Sequence, residues 1–229
     1  LILTSSFAII GGLQMLIFVS DGPYRKPGSK LNVSAFFEVF KNQKFRSVAF
    51  GYFGHMWELY AFWAFVPIIL KPYCIKHPET TLNIQLLSFI IIGIGGLACI
   101  LSGYLSQVVK TKKIARFALT LSCGCCLISP FAFVTESEIL FIVFLIFWGM
   151  VVIADSPLFS TLVAQNVPAE IKGTALTIVN CIGFSITIIS IQFLNILKDL
   201  INPTYIYTIL AVGPILGLIT LYEKKKLTK

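Results

Sequence analysis

Three ionisable side chains fall inside long apolar runs, where they could bind and release protons. His55 and Glu58 lie in the run Gly51–Pro67, and Asp155 lies in another run further along the chain. His55 and Glu58 are three residues apart, so on a helix they share a face. Ionisable groups inside a bilayer are costly and commonly mark a functional site. We therefore predict a proton or substrate site that faces a water-filled cavity.

Other interpretations of these residues stay open. An aromatic packing face could hold a purely structural hydrogen bond between His55 and Glu58. Asp155 could cap or pin a helix end, or form part of a gate. Pro157, two residues later, lacks an N–H and so frees the carbonyl of Ile153 one turn earlier. A metal site is less favoured, since His55 and Glu58 supply only two ligands.

Aromatic and amide side chains extend the candidate site. Trp57, Tyr60 and Trp63 lie in the same run as His55 and Glu58 and could stack on an organic substrate. Asn180 lies in a later apolar run, where it either forms an interhelical hydrogen bond or contacts the substrate. The candidate substrate and proton residues are thus His55, Glu58, Asp155, Trp57, Tyr60, Trp63 and Asn180.

The composition is that of an all-α membrane protein. The chain is 57% hydrophobic and only 12% charged, whereas soluble domains carry about 25% charged residues. Five of the six Cys lie in apolar runs, which favours packing over metal or redox chemistry, and we predict no cofactor. The net charge of +8 reflects membrane topology, and we predict no nucleic-acid partner.

Seven apolar spans organise the chain. They cover residues 1–19, 47–70, 85–107, 114–134, 138–160, 173–196 and 203–222. The long loop 20–46 separates the first span from a six-span domain, 47–222, and a basic tail, 223–229, follows it. The chain begins with Leu and has no signal-peptide pattern. We therefore expect it to be the C-terminal part of a longer protein.

The basic residues predict the orientation of these spans. Fifteen of the 18 Lys and Arg residues lie in the loops after the first, third and fifth spans and in the tail. Only Lys71, Lys76 and Lys198 lie on the opposite side. Because basic residues are concentrated in cytoplasmic loops, the C-terminus is predicted to be cytoplasmic, as expected for a multi-pass protein of the cell (inner) membrane.

Several motifs resemble those of the major facilitator superfamily. Gly103-Tyr104-Leu105 before a basic turn resembles the loop motif between helices eight and nine, with Gln107 and Val108 where the family has Asp and Arg. The stretches GHMWELYAFWAF, ADSPLFSTLVA and GTALTIVNCIGF resemble an uncharacterised bacterial branch grouped with nitrate/nitrite and cyanate permeases. Nitrate transporters of that group use an Arg in helix eight, and residues 85–107 contain none.

This resemblance implies the C-terminal six-helix half of a major facilitator fold plus one preceding helix. Helices seven and ten of the family face the central cavity, so His55, Glu58 and Asp155 would line it. The function implied is proton-coupled transport of a small solute by alternating access, in which the missing N-terminal half of the same chain supplies the rest of the site.

Two other classes of function stay open as alternatives. A membrane-embedded enzyme would need a catalytic constellation such as H-E-x-x-H, which the sequence lacks, and we predict that the protein is not an enzyme. A non-transporting membrane scaffold would need neither a cavity nor buried acids.

Overall fold

The computed structural model describes residues 2–20 and 38–222, and within these ranges every regular element is a helix. The chain divides into two units, Leu1–Asn32 and Val33–Lys229. The first unit contains α1, Ile2–Phe18, whose side chains are mostly exposed. Most of the predicted loop 20–46, and the whole of the predicted tail 223–229, lie outside the described residues.

The second unit is a bundle of helices connected by short turns. Its described elements are α2 (Gln43–Lys76), α3 (Ile84–Gly93), α4 (Gly95–Val108), α5 (Thr111–Phe133), α6 (Glu138–Val151), α7 (Ser156–Gln165), a 3₁₀ helix (Ala169–Ile171), α8 (Lys172–Leu197), a second 3₁₀ helix (Ile206–Ala211) and α9 (Val212–Leu221).

Five of the seven predicted spans coincide with helices long and apolar enough to cross a membrane. These are Gln43–Lys76, Ile84–Val108, Thr111–Phe133, Glu138–Gln165 and Ala169–Leu197. The first and last predicted spans correspond to the shorter apolar helices Ile2–Phe18 and Ile206–Leu221.

The central helix α2 is longer than its predicted span, 47–70. It begins four residues earlier because Asn42 caps it, its side-chain oxygen accepting the backbone N–H groups of Lys44 and Phe45. It continues to Lys76 through Pro67 and Pro72, which the surrounding helices tolerate. Helices α3, α7, α8 and α9 all pack against α2, so its residues occupy the centre of the bundle.

Glycines bring α2 and α9 into backbone contact. A Cβ atom at Gly54 would collide with the carbonyl oxygen of Gly213, and one at Gly213 would lie 2.5 Å from the carbonyl oxygen of Gly54. Gly217 packs in the same way against Gly51. Small residues allow such close approach between membrane helices, and Gly213 and Gly217 supply them on α9.

The span 138–165 is interrupted between α6 and α7. Residues 152–155 form a turn, and α7 restarts at Ser156 with Pro157 in its first turn. The carbonyl of Ile153, predicted to be freed by Pro157, accepts the Ser156 N–H at 3.0 Å and the Cys99 thiol of α4 at 3.5 Å. This turn places Asp155 inside the bundle.

Candidate functional site

His55 of α2 and Asp155 of the α6–α7 turn form a buried pair of ionisable side chains. Nδ1 of His55 lies 2.8 Å from Oδ1 of Asp155, and each side chain is 1% exposed. Oδ1 has no hydrogen-bond partner despite this short distance, and the contact is an ion pair only when the imidazole carries a proton. The rings of Tyr52 and Phe159 lie 6.0 and 5.9 Å from the imidazole and help to exclude water.

Several polar atoms of this pair have no hydrogen-bond partner among the described residues. They are Nε2 of His55 and both carboxylate oxygens of Asp155. Buried polar groups are nearly always hydrogen-bonded, so unpartnered atoms of this kind mark a place where a proton or a water molecule could bind. Asp155 directly precedes α7, yet its side chain does not cap the helix.

Glu58 occupies a second buried polar site, one turn further along α2. Its Oε1 accepts hydrogen bonds from Ser122 Oγ at 2.5 Å, Trp148 Nε1 at 2.8 Å and Cys126 Sγ at 3.2 Å. Ser122 and Cys126 come from α5, and Trp148 comes from α6. Three converging donors hold the carboxyl group in one position within the bundle.

The structure corrects the expected pairing of His55 with Glu58. Three residues along a helix correspond to a rotation of about 300°. The two side chains therefore leave the helix about 60° apart around its axis, and they can point to different neighbours. His55 points to the α6–α7 turn, while Glu58 points to α5 and α6. The alternative in which His55 and Glu58 bond to each other is therefore wrong.

The structure also corrects the expectation that His55, Glu58 and Asp155 line an open cavity. Each of the three residues is 1% exposed, and their neighbours come from helices packed around α2. The conformation seen here holds the ionisable groups inside the bundle, away from any water-filled opening. Access to them would require helices to move.

The aromatic residues of the predicted site lie on a different side of α2. Trp57, Tyr60 and Trp63 are only partly buried. Tyr60 contacts the ring of Trp63 at 5.3 Å and the ring of Phe184 in α8 at 5.6 Å. The indole N–H groups of Trp57 and Trp63 have no hydrogen-bond partner among the described residues.

Asn180 forms the interhelical hydrogen bond that was one of its two predicted roles. Its Oδ1 accepts the hydroxyl of Tyr52 at 3.1 Å, which joins α8 to α2. A second bond between these helices runs from Thr187 Oγ1 to the carbonyl oxygen of Met56 at 3.1 Å. Asn180 contacts neither His55 nor Glu58 through a hydrogen bond.

Sequence reasoning missed the residues that surround Glu58. The Cys residues in apolar runs were predicted to pack, and Cys123, Cys125 and Cys126 of α5 are buried. However, the fold brings Glu58 to Cys126 across 68 positions of sequence. The available signal was the spacing of Ser122 and Cys126, which are four residues apart and so share one face of α5. No cluster of metal-binding side chains occurs within 2–20 and 38–222.

Taken together, the spanning helices and the buried ionisable groups define a multi-pass helical membrane protein. The family model described as Major Facilitator Superfamily matches residues 1–191, which is more than half of the chain. The chain therefore belongs to the major facilitator superfamily, whose members are secondary transporters of small solutes. No curated protein gave a significant match.

Proposed function

We propose that this chain is the C-terminal part of a proton-coupled transporter that works by alternating access. The observation that carries the proposal is the burial of two carboxyl groups and one imidazole among spanning helices, with three of their polar atoms unpartnered. An ionised carboxylate is expensive in a medium of low dielectric constant. Proton uptake removes that charge, so protonation and helix packing are coupled.

The His55–Asp155 pair connects α2 to the α6–α7 turn. While the two residues carry opposite charges, their attraction holds these segments together in the enclosed state. A proton on Asp155 removes the attraction and favours separation of α2 from α7. In this mechanism the His55–Asp155 pair separates at the turn between α6 and α7. Because the helix is already interrupted there, movement of α7 breaks few backbone hydrogen bonds.

Glu58 serves as a second proton-binding group in this proposal. Its three donors fix the carboxyl group, and a proton bound there would be protected from bulk water until the helices separate. Ser122, Cys126 and Trp148 therefore act as positioning residues. The proposed role of His55 is to hold Asp155, and not to bond Glu58.

The substrate is proposed to be a small organic solute. Tyr60 and Trp63 offer aromatic faces on the less buried side of α2, and such faces bind flat or apolar groups. The rest of the binding site would come from the N-terminal half of the full-length protein. The C-terminus is proposed to be cytoplasmic, in the inner membrane, because basic residues crowd the loops on that side.

Transport by the full-length protein in proteoliposomes tests the proposal. A trapped pH indicator reports proton movement while a panel of labelled sugars, amino acids, nucleosides and organic acids is added. We expect one class of solute to move protons in the wild type and Glu58→Gln to abolish this coupled uptake. Exchange of labelled for unlabelled solute, which needs no net proton movement, should persist and so demonstrate a folded transporter.

Glu138→Gln is the matched control. Glu138 lies in the first turn of α6, and its replacement should leave coupled uptake unchanged. Full coupled uptake by Glu58→Gln would overturn the role of Glu58. Solute uptake without any proton movement in the wild type would overturn proton coupling, and transport of no solute in the panel would favour a scaffold.

A further inference from the structure

A second feature of the bundle is an apolar groove on its outer surface, between α2, α8 and α9. The groove encloses about 520 Å³, within the range of about 300–1,000 Å³ typical of small-molecule sites. Its floor is the contact between Gly54 and Gly213, where neither helix has a side chain. Its walls are apolar side chains of the three helices, among them Phe50, Phe53 and Trp57 of α2 and Ile189 of α8, with Thr220 of α9 at one end.

The groove is bordered by helices with the composition of membrane spans. Helices α2 and α8 belong to spans long and apolar enough to cross a membrane, and α9 is apolar. Thr220 is the only lining residue with a polar side chain apart from the indole of Trp57, and no lining residue carries a charge. An alkyl chain is therefore a better occupant than a polar solute.

One end of the groove carries an exposed positive charge. Arg46, Phe50, Phe53 and Trp57 are spaced by four, three and four residues, so they form one stripe along α2. Ser47, next to Arg46, donates its hydroxyl to the carbonyl of Thr220 at 2.5 Å, which fixes this end of α2 against the groove. Arg46 forms no ion pair with any residue in 38–222 that the structure describes.

We infer that this groove binds a phospholipid of the surrounding bilayer, with one acyl chain along α2 and an anionic headgroup on Arg46. A guanidinium matches phosphate oxygens in charge and in hydrogen-bond geometry. The apolar walls match the chain, and the charge of Arg46 at one end sets the direction of the lipid. The site is separate from His55, Glu58 and Asp155 and does not depend on proton coupling.

Native mass spectrometry of the delipidated full-length protein, titrated with phosphatidylglycerol or phosphatidylcholine, tests the headgroup. We expect one phosphatidylglycerol to bind several-fold more tightly than phosphatidylcholine. Arg46→Gln should remove this preference. Lys113→Gln, which removes another exposed cation at the start of α5, should retain it. An unchanged preference in Arg46→Gln would overturn the assignment of the headgroup.

Filling the groove tests the acyl chain. Ile189→Trp should abolish the tightly bound lipid, whereas Ile128→Trp, on an exposed part of α5 outside the groove, should not. Lipids brominated on the acyl chain should quench the tryptophan fluorescence of Trp57. The Trp57→Phe variant should lack this quenchable component. If Trp57→Phe removes no quenchable component, another protein segment covers the groove and the inference is wrong.

Discussion

Helix α2 contains His55 and is followed directly by His77. Both histidines contact carboxylates, but these carboxylates differ in their exposure to water. His55 lies within the helix and pairs with Asp155, and both side chains are 1% exposed. His77 lies just beyond the C-terminal end of α2, and its Nδ1 is 3.1 Å from Glu79 and its Nε2 is 3.4 Å from Glu136. The side chains of Glu79 and Glu136 are 71% and 73% exposed.

The comparison shows that burial, and not the types of residue, makes the inner pair a candidate for function. Water screens the charges around His77, so neutralising one of them changes little. Burial shields His55 and Asp155 from bulk water, so neutralising either group when both are charged would change the energy of the packing around them. After the end of α2 the imidazole, 11% exposed, thus contacts carboxylates that lie in water, whereas inside α2 both partners are buried.

Breaking the inner pair should give the largest effect on stability. His55→Leu leaves Asp155 buried without a partner, and we expect a loss of about 3–5 kcal/mol in the free energy of unfolding. The double variant His55→Leu/Asp155→Leu should recover most of it, because apolar side chains replace both charges. Thermal unfolding of the full-length protein in detergent measures both effects.

His77→Leu is the control at the outer end of α2. Its loss should be far smaller than that of His55→Leu, since Glu79 and Glu136 stay in water. Equal losses for the two single variants would show that burial does not separate the two histidines.

Removing a donor from Glu58 should give an intermediate effect. Trp148→Phe keeps the aromatic contact with Phe62, whose ring lies 4.5 Å away, but removes the hydrogen bond to Oε1. We expect a loss of about 1–2 kcal/mol in the free energy of unfolding, as for hydrogen bonds between membrane helices. Trp63→Phe is the matched control because the Trp63 indole has no hydrogen-bond partner in the described part of the chain. A larger loss in Trp63→Phe would show that the hydrogen bond to Glu58 contributes nothing.

The outer contacts should give the smallest effect, and one that depends on pH. The Lys76 ammonium lies 2.6 Å from Glu136 and lowers the pKa of this carboxyl group below its ordinary value of 4.5. The stabilising effect of ionised Glu136 is therefore complete at neutral pH and is lost as the pH falls below 4.5 toward the pKa of the folded protein.

Thermal unfolding of Glu136→Gln and wild type at several pH values measures this dependence. The small difference in melting temperature should disappear at acidic pH and shrink in high salt, because the pair is exposed. A difference that persists in acid would show that Glu136 stabilises the fold through packing and not through charge.

The sequence predicted the helices well, because a bilayer requires long apolar helices and these appear in the sequence as long runs of apolar residues. It predicted the ends less well. The cap at Asn42 depends on a local backbone turn, and α2 consequently extends into the expected loop. The sequence did predict that Pro157 leaves the carbonyl of Ile153 without its usual helical hydrogen bond, because proline lacks an N–H donor.

The sequence predicted that three ionisable residues lie inside the bundle, but it did not predict how they are arranged. His55, Glu58 and Asp155 stand out as ionisable residues in apolar runs, and all three are buried in the bundle. Their partners depend on which helices pack together, and hydropathy carries no information on that. The contacts of Glu58 with Ser122 and Trp148 span 64 and 90 positions of sequence.

The sequence by itself determined that this chain is a helical membrane protein with three ionisable groups at membrane depth, because transfer of residues to a bilayer depends on their chemistry and order alone. Only the tertiary structure decided that His55 binds Asp155, that Glu58 binds α5 and α6, and that Trp57 lines a groove. These outcomes depend on the rotation of α2 against its neighbours, which close glycine contacts such as Gly54 with Gly213 fix in three dimensions.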